Sequence, residues 1–145
     1  MSPVDVSVLA RKLSLMEERL DLLRPLAALA LEAYRADPVR KKGAEKLFQE
    51  LVNAAVDANY HVLVQTGRTT PVDAYSSFLD LAAAGVLTDA AARSLAPFAG
   101  LRNRLVHEYE TIDDDRVIQA LRLAQTIFPP YMKSLRDRFC PPLTT

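Results

Sequence analysis

The chain has 145 residues, with 18 basic and 18 acidic side chains, two His, one Cys and no Trp. That length supports one hydrophobic core without disulfides, and a lone Cys at position 140 excludes an intramolecular disulfide framework and a Cys-based zinc cluster. A formal net charge of zero argues against a wholesale electrostatic nucleic-acid binder but not against a local basic patch, and a 50% hydrophobic content excludes disorder over most of the chain.

Leu occurs 22 times and Ala 21 times, against four Gly. Both abundant types are strong helix formers, and alternating runs of β-branched and aromatic residues are nearly absent, so an all-α fold is expected. The first helix starts near Ser2-Pro3 or Asp5 and carries one apolar stripe, Val6, Leu9, Leu13, Met16, Leu20 and Leu23. Pro25 is expected to kink or end it, leaving 26–34 as a short separate helix or a continuation. Asp37-Pro38 marks a fresh start. Residues 44–66 read as a long amphipathic helix built on Leu47, Leu51, Ala54, Ala55, Ala58, Val62 and Gln65, stopped by Gly67. After the turn-rich loop 67–71, Pro71 or Asp73 opens a helix through Tyr75, Phe78, Leu79 and Ala82 that stops at Gly85. Thr88 caps the next helix, with Leu95, Phe98, Leu101, Leu105 and Val106 as its apolar face and a bend expected from Pro97 and Gly100. Asp113, Asp114 and Asp115 precede a last helix from Val117 towards Phe128. Pro129-Pro130 is expected to break or kink it before a final turn or two to about Phe139.

Short connections then imply an antiparallel bundle of four to five helices over residues 1–140, a single helical domain, with a frayed tail at 141–145. No apolar run is long enough to span a membrane, and the N-terminus lacks a basic stretch followed by an apolar one, so a cytoplasmic protein is expected.

The segment richest in chemistry is GLRNRLVHEYE, residues 100–110. On a helix Asn103 and His107 share a face, Arg102 and Tyr109 share another, and Arg104 with Glu108 forms an i,i+4 pair. Arg102 and His107, five residues apart, sit about 140° from each other, so one straight helix does not focus them on one point. A bend, or a second copy of the helix across a two-fold axis, would bring such groups together. A lone His is more often structural than catalytic, and Arg104–Glu108 reads as a solvated pair.

The string as a whole is more specific. Arg-Asn-x-x-x-His-x-Tyr, as Arg102, Asn103, His107 and Tyr109, resembles the signature of the HEPN superfamily, and more narrowly the HepT toxins of HepT/MNT toxin–antitoxin pairs. The flanking segments LFQELVNAAVDANYHVLVQTG, TPVDAYSSFLDLAAAGVLT and LAPFAGLRNRLVHEYETIDDDRV follow that family's order and spacing, so the likeness covers about residues 44–118. The resemblance implies a homodimeric endoribonuclease that uses no metal or other cofactor and leaves a 2′,3′-cyclic phosphate. RNA carries its own nucleophile, the 2′-hydroxyl, so cleavage needs proton transfers and stabilisation of the phosphorane's charge. His107 is the residue type that both gives and takes protons near neutrality. Arg102 offers a planar fork of donors for phosphate oxygens. Asn103 orients the imidazole or donates to the phosphate. The resemblance further implies that Tyr109 accepts AMP from an MNT-type nucleotidyltransferase antitoxin, placing bulky anions near Arg102.

Other candidates are weaker. Asp57 and His61 form an i,i+4 pair, compatible with one edge of a metal site or with a structural hydrogen bond, and Asp57 is a candidate supporting residue for the ribonuclease site. The Asp113–Asp115 run reads as a helix cap rather than a magnesium cluster. Arg35, Arg40, Lys41, Lys42 and Lys46 form a basic cluster interrupted by Asp37 and Glu45. It serves either an RNA backbone, an antitoxin contact, or solvation of a helix start. Two competing readings stand beside the ribonuclease: a non-catalytic helical interaction subunit partnering a nucleotidyltransferase, and a structural bundle in which 102–109 is a salt-bridged surface.

Overall fold

The computed structural model describes residues 4–141. Among these the regular structure is entirely helical: α1 (Val6–Ala27), α2 (Leu31–Ala36), α3 (Pro38–Gln65), α4 (Ala74–Ala83), α5 (Asp89–His107) and α6 (Asp114–Phe139), with one 3-10 turn at Tyr109–Thr111. The expected Ser2-Pro3 start lies outside the described residues. So does the tail beyond Pro141.

Helix starts follow from capping chemistry. An unpaired N–H in the first turn is satisfied by the preceding side chain. Asp5 accepts from the amides of Ser7 and Val8, Asp37 from Val39 and Arg40, Asp73 from Ser76, Thr88 from Ala91 and Asp113 from Asp115. The Asp37-Pro38 start and the long helix expected from residue 44 are one helix of 28 residues. Helix ends at Gly67 (φ 86°) and Gly85 (φ 78°) use the left-handed backbone that glycine adopts without strain. There the amides of Arg68 and Val86 reach back to the carbonyls of Leu63 and Leu81, both at 2.9 Å.

The prolines depart from expectation. α1 carries Pro25 inside its last turn and ends two residues beyond it, at Ala27, rather than before the proline. α6, however, runs unbroken through Pro129 and Pro130 to Phe139. Each proline costs about 3 kcal/mol inside a helix. The segment beyond them buries Tyr131, Met132 and Leu135, and that burial holds the helix together. α5 likewise continues through Pro97 and Gly100. Four expected stripe residues turn outward instead: Val6, Tyr75 and Val106 are about half exposed and Leu79 is exposed too.

Partner contacts fix the helix directions. Lys12 pairs with Asp57 and Arg19 with Glu50, so α1 runs antiparallel to α3. Gln125 donates to the Leu20 carbonyl, and Arg122 to the carbonyls of Ala27 and Leu29 just past the C-terminus of α1, so α1 also opposes α6. Hence α3 and α6 run parallel, with Lys41 beside Asp114 at one end and Asn59 beside Tyr131 towards the other. Five residues separate α4 from α5, and the two pack on each other beside this trio. Neighbouring rings join the layers: Phe48 to Phe98 at 5.6 Å, Phe98 to Phe128 at 5.6 Å, Phe128 to Tyr131 at 5.7 Å and Tyr131 to Phe78 at 5.7 Å. This chain of offset and edge-on contacts ties α5 to α3 and α6, and so positions the segment that carries the chemistry.

Candidate active site

The buried positions of α5, Leu95, Phe98, Leu101 and Leu105, form one stripe at helical spacing, with Arg102 at its margin and Asn103 and His107 on the opposite, exposed side. Arg102 is half-buried and Asn103 exposed. The Arg102 guanidinium is held on two edges. Its Nε and Nη2 donate to Asn103 Oδ1 at 3.2 and 2.8 Å, and its Nη1 donates to Asn53 Oδ1 at 2.7 Å. Asn103 therefore serves Arg102, not the His107 imidazole that sequence spacing places on its face. Asn53 belongs to α3, 49 residues earlier, and nothing in the sequence singles it out.

His107 is the last residue of α5, and its imidazole is exposed. Arg104 and Glu108 pair at 3.6 Å, the expected i,i+4 bridge. The helix ends there because Glu108 leaves helical geometry, at φ −131° and ψ 35°. Tyr109 consequently starts the 3-10 turn and does not continue the helical face of Arg102. The expectation that its ring lies along the Arg102 flank by helix geometry is thus corrected. The ring is 57% exposed and instead has the Lys42 ammonium 5.7 Å from its centroid, within cation–π range.

The remaining candidates disperse. Asp57 is bound to Lys12 at 3.0 Å, and His61 Nε2 accepts from the Asp5 amide at 3.2 Å, so the two do not share a ligand site. Among the described residues no group of three or more His, Cys, Asp or Glu is arranged to hold a metal. Asp113 caps α6, whereas Asp114 receives Lys41 at 3.3 Å and Arg35 at 3.8 Å. The basic cluster is largely matched by acids: Arg40 by Asp37 at 3.9 Å and Lys42 by the buried Glu45 at 3.2 Å. Lys46 is exposed one turn beyond Lys42 on α3. A largely apolar groove of about 650 Å³ runs between α5 and α6, lined by Pro97, Leu101, Ala120 and Leu123 together with Arg104 and Arg116.

No described helix is long and apolar enough to cross a membrane. Chemically, the α5 surface offers a fixed cation and a solvent-facing imidazole on one helix, with a tyrosine just past its end.

The chain is 30% identical over 137 residues to a protein named tRNA nuclease HepT from Aphanizomenon flos-aquae, covering 94% of this chain and 93% of that one. Its fold matches that of a tri-AMPylated HEPN toxin of Shewanella oneidensis, solved in complex with MNT antitoxin. The TM-score is 0.81 at 18% identity, covering 90% of this chain and 97% of that one. It also matches YutE, a cytosolic protein of unknown function from Bacillus subtilis, with a TM-score of 0.78 at 19% identity and 99% of both chains covered. The family described as Ribonuclease HepT-like matches residues 16–135, from the middle of α1 to the last turns of α6, and this chain belongs to that HepT-like family.

Proposed function

We propose that the chain is the toxin of a toxin–antitoxin pair, an endoribonuclease that cleaves RNA without a metal ion. Arg102 and His107 are its catalytic residues. The observation that carries this reading is the Arg102 guanidinium, fixed by Asn53 and Asn103 on the helix that ends in His107. The nuclease relative and the family membership support it.

In this reading one imidazole removes the 2′-hydroxyl proton. The resulting oxygen attacks the adjacent phosphorus, and Arg102 stabilises the negative charge of the phosphorane. A second imidazole protonates the departing 5′-oxygen, leaving a 2′,3′-cyclic phosphate and a 5′-hydroxyl. Each chain supplies one His107, so two proton-transfer groups require a two-fold dimer with both motifs at one cleft. The groove between α5 and α6, with the exposed Val106 and Leu123, is apolar surface that such a dimer buries. Residues 1–140 act as one catalytic domain, in the cytoplasm. Lys42 and Lys46, with Arg40 and Lys41 beside them, give the RNA backbone its electrostatic contact.

The partner is an MNT-type nucleotidyltransferase, which silences the chain by attaching AMP to Tyr109. A similar fold solved as a tri-AMPylated HEPN toxin in complex with MNT antitoxin, and another as a toxin–antitoxin with AMP-PNP, support this. The exposed phenol on its turn is open to such an enzyme.

Purified protein incubated with RNA tests the proposal. Arg102→Ala and His107→Ala should lose on the order of 10² to 10⁴ in rate while keeping the helical spectrum. Light scattering should give a dimer. Undiminished cleavage by either variant refutes the assignment, and a monodisperse monomer at micromolar concentration refutes the shared cleft.

A further inference from the structure

We infer that Asn53 is a positioning residue that fixes the plane of Arg102 from α3. The inference rests on the proposed role of Arg102 at the phosphate. A guanidinium has five N–H donors and no acceptor. Asn103 Oδ1 takes two of them, through Nε and Nη2, and Asn53 Oδ1 takes a third, through Nη1. Two N–H groups remain, one on each terminal nitrogen, enough for two phosphate oxygens.

The two asparagines do different work. Asn103 is Arg102's neighbour on α5, so it moves with that helix. Asn53 sits on α3 between Val52 and Ala54, with Leu51 and Ala55 beyond, all buried to 2% exposure or less. Asn53 itself is exposed, but these packed neighbours fix its backbone, so its amide ties the guanidinium to α3. Without it the terminal nitrogens are free to swing about the last bonds of a long side chain, and alignment with the phosphate is lost.

An amide suits this position better than a carboxylate. Asn accepts the hydrogen bond without neutralising the cation that the phosphate needs. Because the guanidinium is donor-only, each amide must turn its oxygen towards Arg102 and its NH2 away. Asp57, one turn further along α3, has the other chemistry, and it is engaged by Lys12.

Two measurements on the full-length protein test the inference. In the first, side-chain NMR of protein labelled with ¹⁵N-arginine reads Arg102 directly, with its signals assigned by their loss in Arg102→Lys. The wild type should show resolved, slowly exchanging terminal N–H protons at low temperature. Asn53→Ala should collapse them to an averaged signal, and Asn53→Asp, which keeps an acceptor, should retain them. In the second, single-turnover cleavage is compared across a double-mutant cycle. Asn53→Ala should lower the rate constant about tenfold with apparent substrate affinity within about twofold, as expected for one hydrogen bond to a charged group. In an Arg102→Ala background the same change should cost nothing further. Unchanged Arg102 signals in Asn53→Ala overturn the inference. So does an equal rate loss in both backgrounds. Full cleavage by Arg102→Ala would instead refute the catalytic role of Arg102, while the NMR result would still decide whether Asn53 holds it.

Discussion

Two tyrosines are fully enclosed in the bundle, and deleting the same atom from each should have opposite effects. Tyr131 is 1% exposed and its hydroxyl lies 2.6 Å from Asn59 Oδ1 and 3.1 Å from the Ala55 carbonyl. Asn59, itself 0% exposed, donates through Nδ2 to Ser77 Oγ at 3.0 Å, and that hydroxyl donates to the Ala74 carbonyl at 2.7 Å. This network joins α3, α4 and α6. Tyr34 is also 0% exposed, yet its hydroxyl has no partner. Tyr131→Phe leaves the buried Asn59 oxygen without its donor and should destabilise by about 2 kcal/mol, lowering Tm by about 6–8 °C for a chain of this size. Tyr34→Phe loses no hydrogen bond and removes an unsatisfied buried hydroxyl, so it should be neutral or stabilising by up to about 1 kcal/mol. Urea and thermal unfolding followed by circular dichroism read both, with equal m-values required. Burial pushes both phenols above the ordinary 10.0, with the Glu45 and Asp114 carboxylates adding to the effect at Tyr34. The folded chain thus keeps protons that the unfolded chain sheds. Stability is full below about pH 10 and falls as pH rises beyond it, less steeply in either Phe variant. Equal destabilisation by the two variants would refute the reasoning, because it would mean that packing and not hydrogen bonding decides the cost.

Gly43 lies inside α3 with open space where a Cβ would be, so Gly43→Ala should raise stability by about 0.5–1 kcal/mol in urea unfolding. Asp5 caps α1, and its hydrogen bonds from the Ser7 side chain and the Val8 amide hold its carboxyl below the usual carboxylate range. That contribution is complete above the unfolded value of 3.8 and is lost as pH falls through the lower folded value, so Asp5→Asn should flatten the acid limb of a pH–stability curve. Tyr109→Phe should keep most RNA cleavage and escape silencing. Intact-mass spectrometry after incubation with the nucleotidyltransferase and ATP should show AMP increments on the wild type and none on the variant.

Local chemistry made most of the fold legible. The caps at Asp37, Asp73 and Thr88 and the glycine stops at 67 and 85 are interactions within a few residues, so the sequence alone carries them. Pro129-Pro130 misleads for the converse reason. Its local cost is plain in the sequence, whereas the burial of Tyr131, Met132 and Leu135 that outweighs it depends on helices far away in the chain. The site divides along the same line. Arg102, Asn103 and His107 stand out as one polar string on a Leu- and Ala-rich chain. Tyr109 lies off α5 in the following 3-10 turn, and no glycine or proline announces that helix end at His107. Asn53 was invisible, since only the packing of α5 against α3 brings it to Arg102. Asp57 carries the more conspicuous charge on that helix, but it faces Lys12 of α1.

The most direct measurement of the central claim is the chemistry of the RNA ends made by the wild-type protein in excess EDTA. Cleavage through Arg102 and His107 with the 2′-hydroxyl as nucleophile predicts an undiminished rate, 2′,3′-cyclic phosphates and 5′-hydroxyls, and a rate on the order of 10² to 10⁴ lower for His107→Ala. Loss of cleavage in EDTA, or products with 3′-hydroxyl and 5′-phosphate ends, would contradict it.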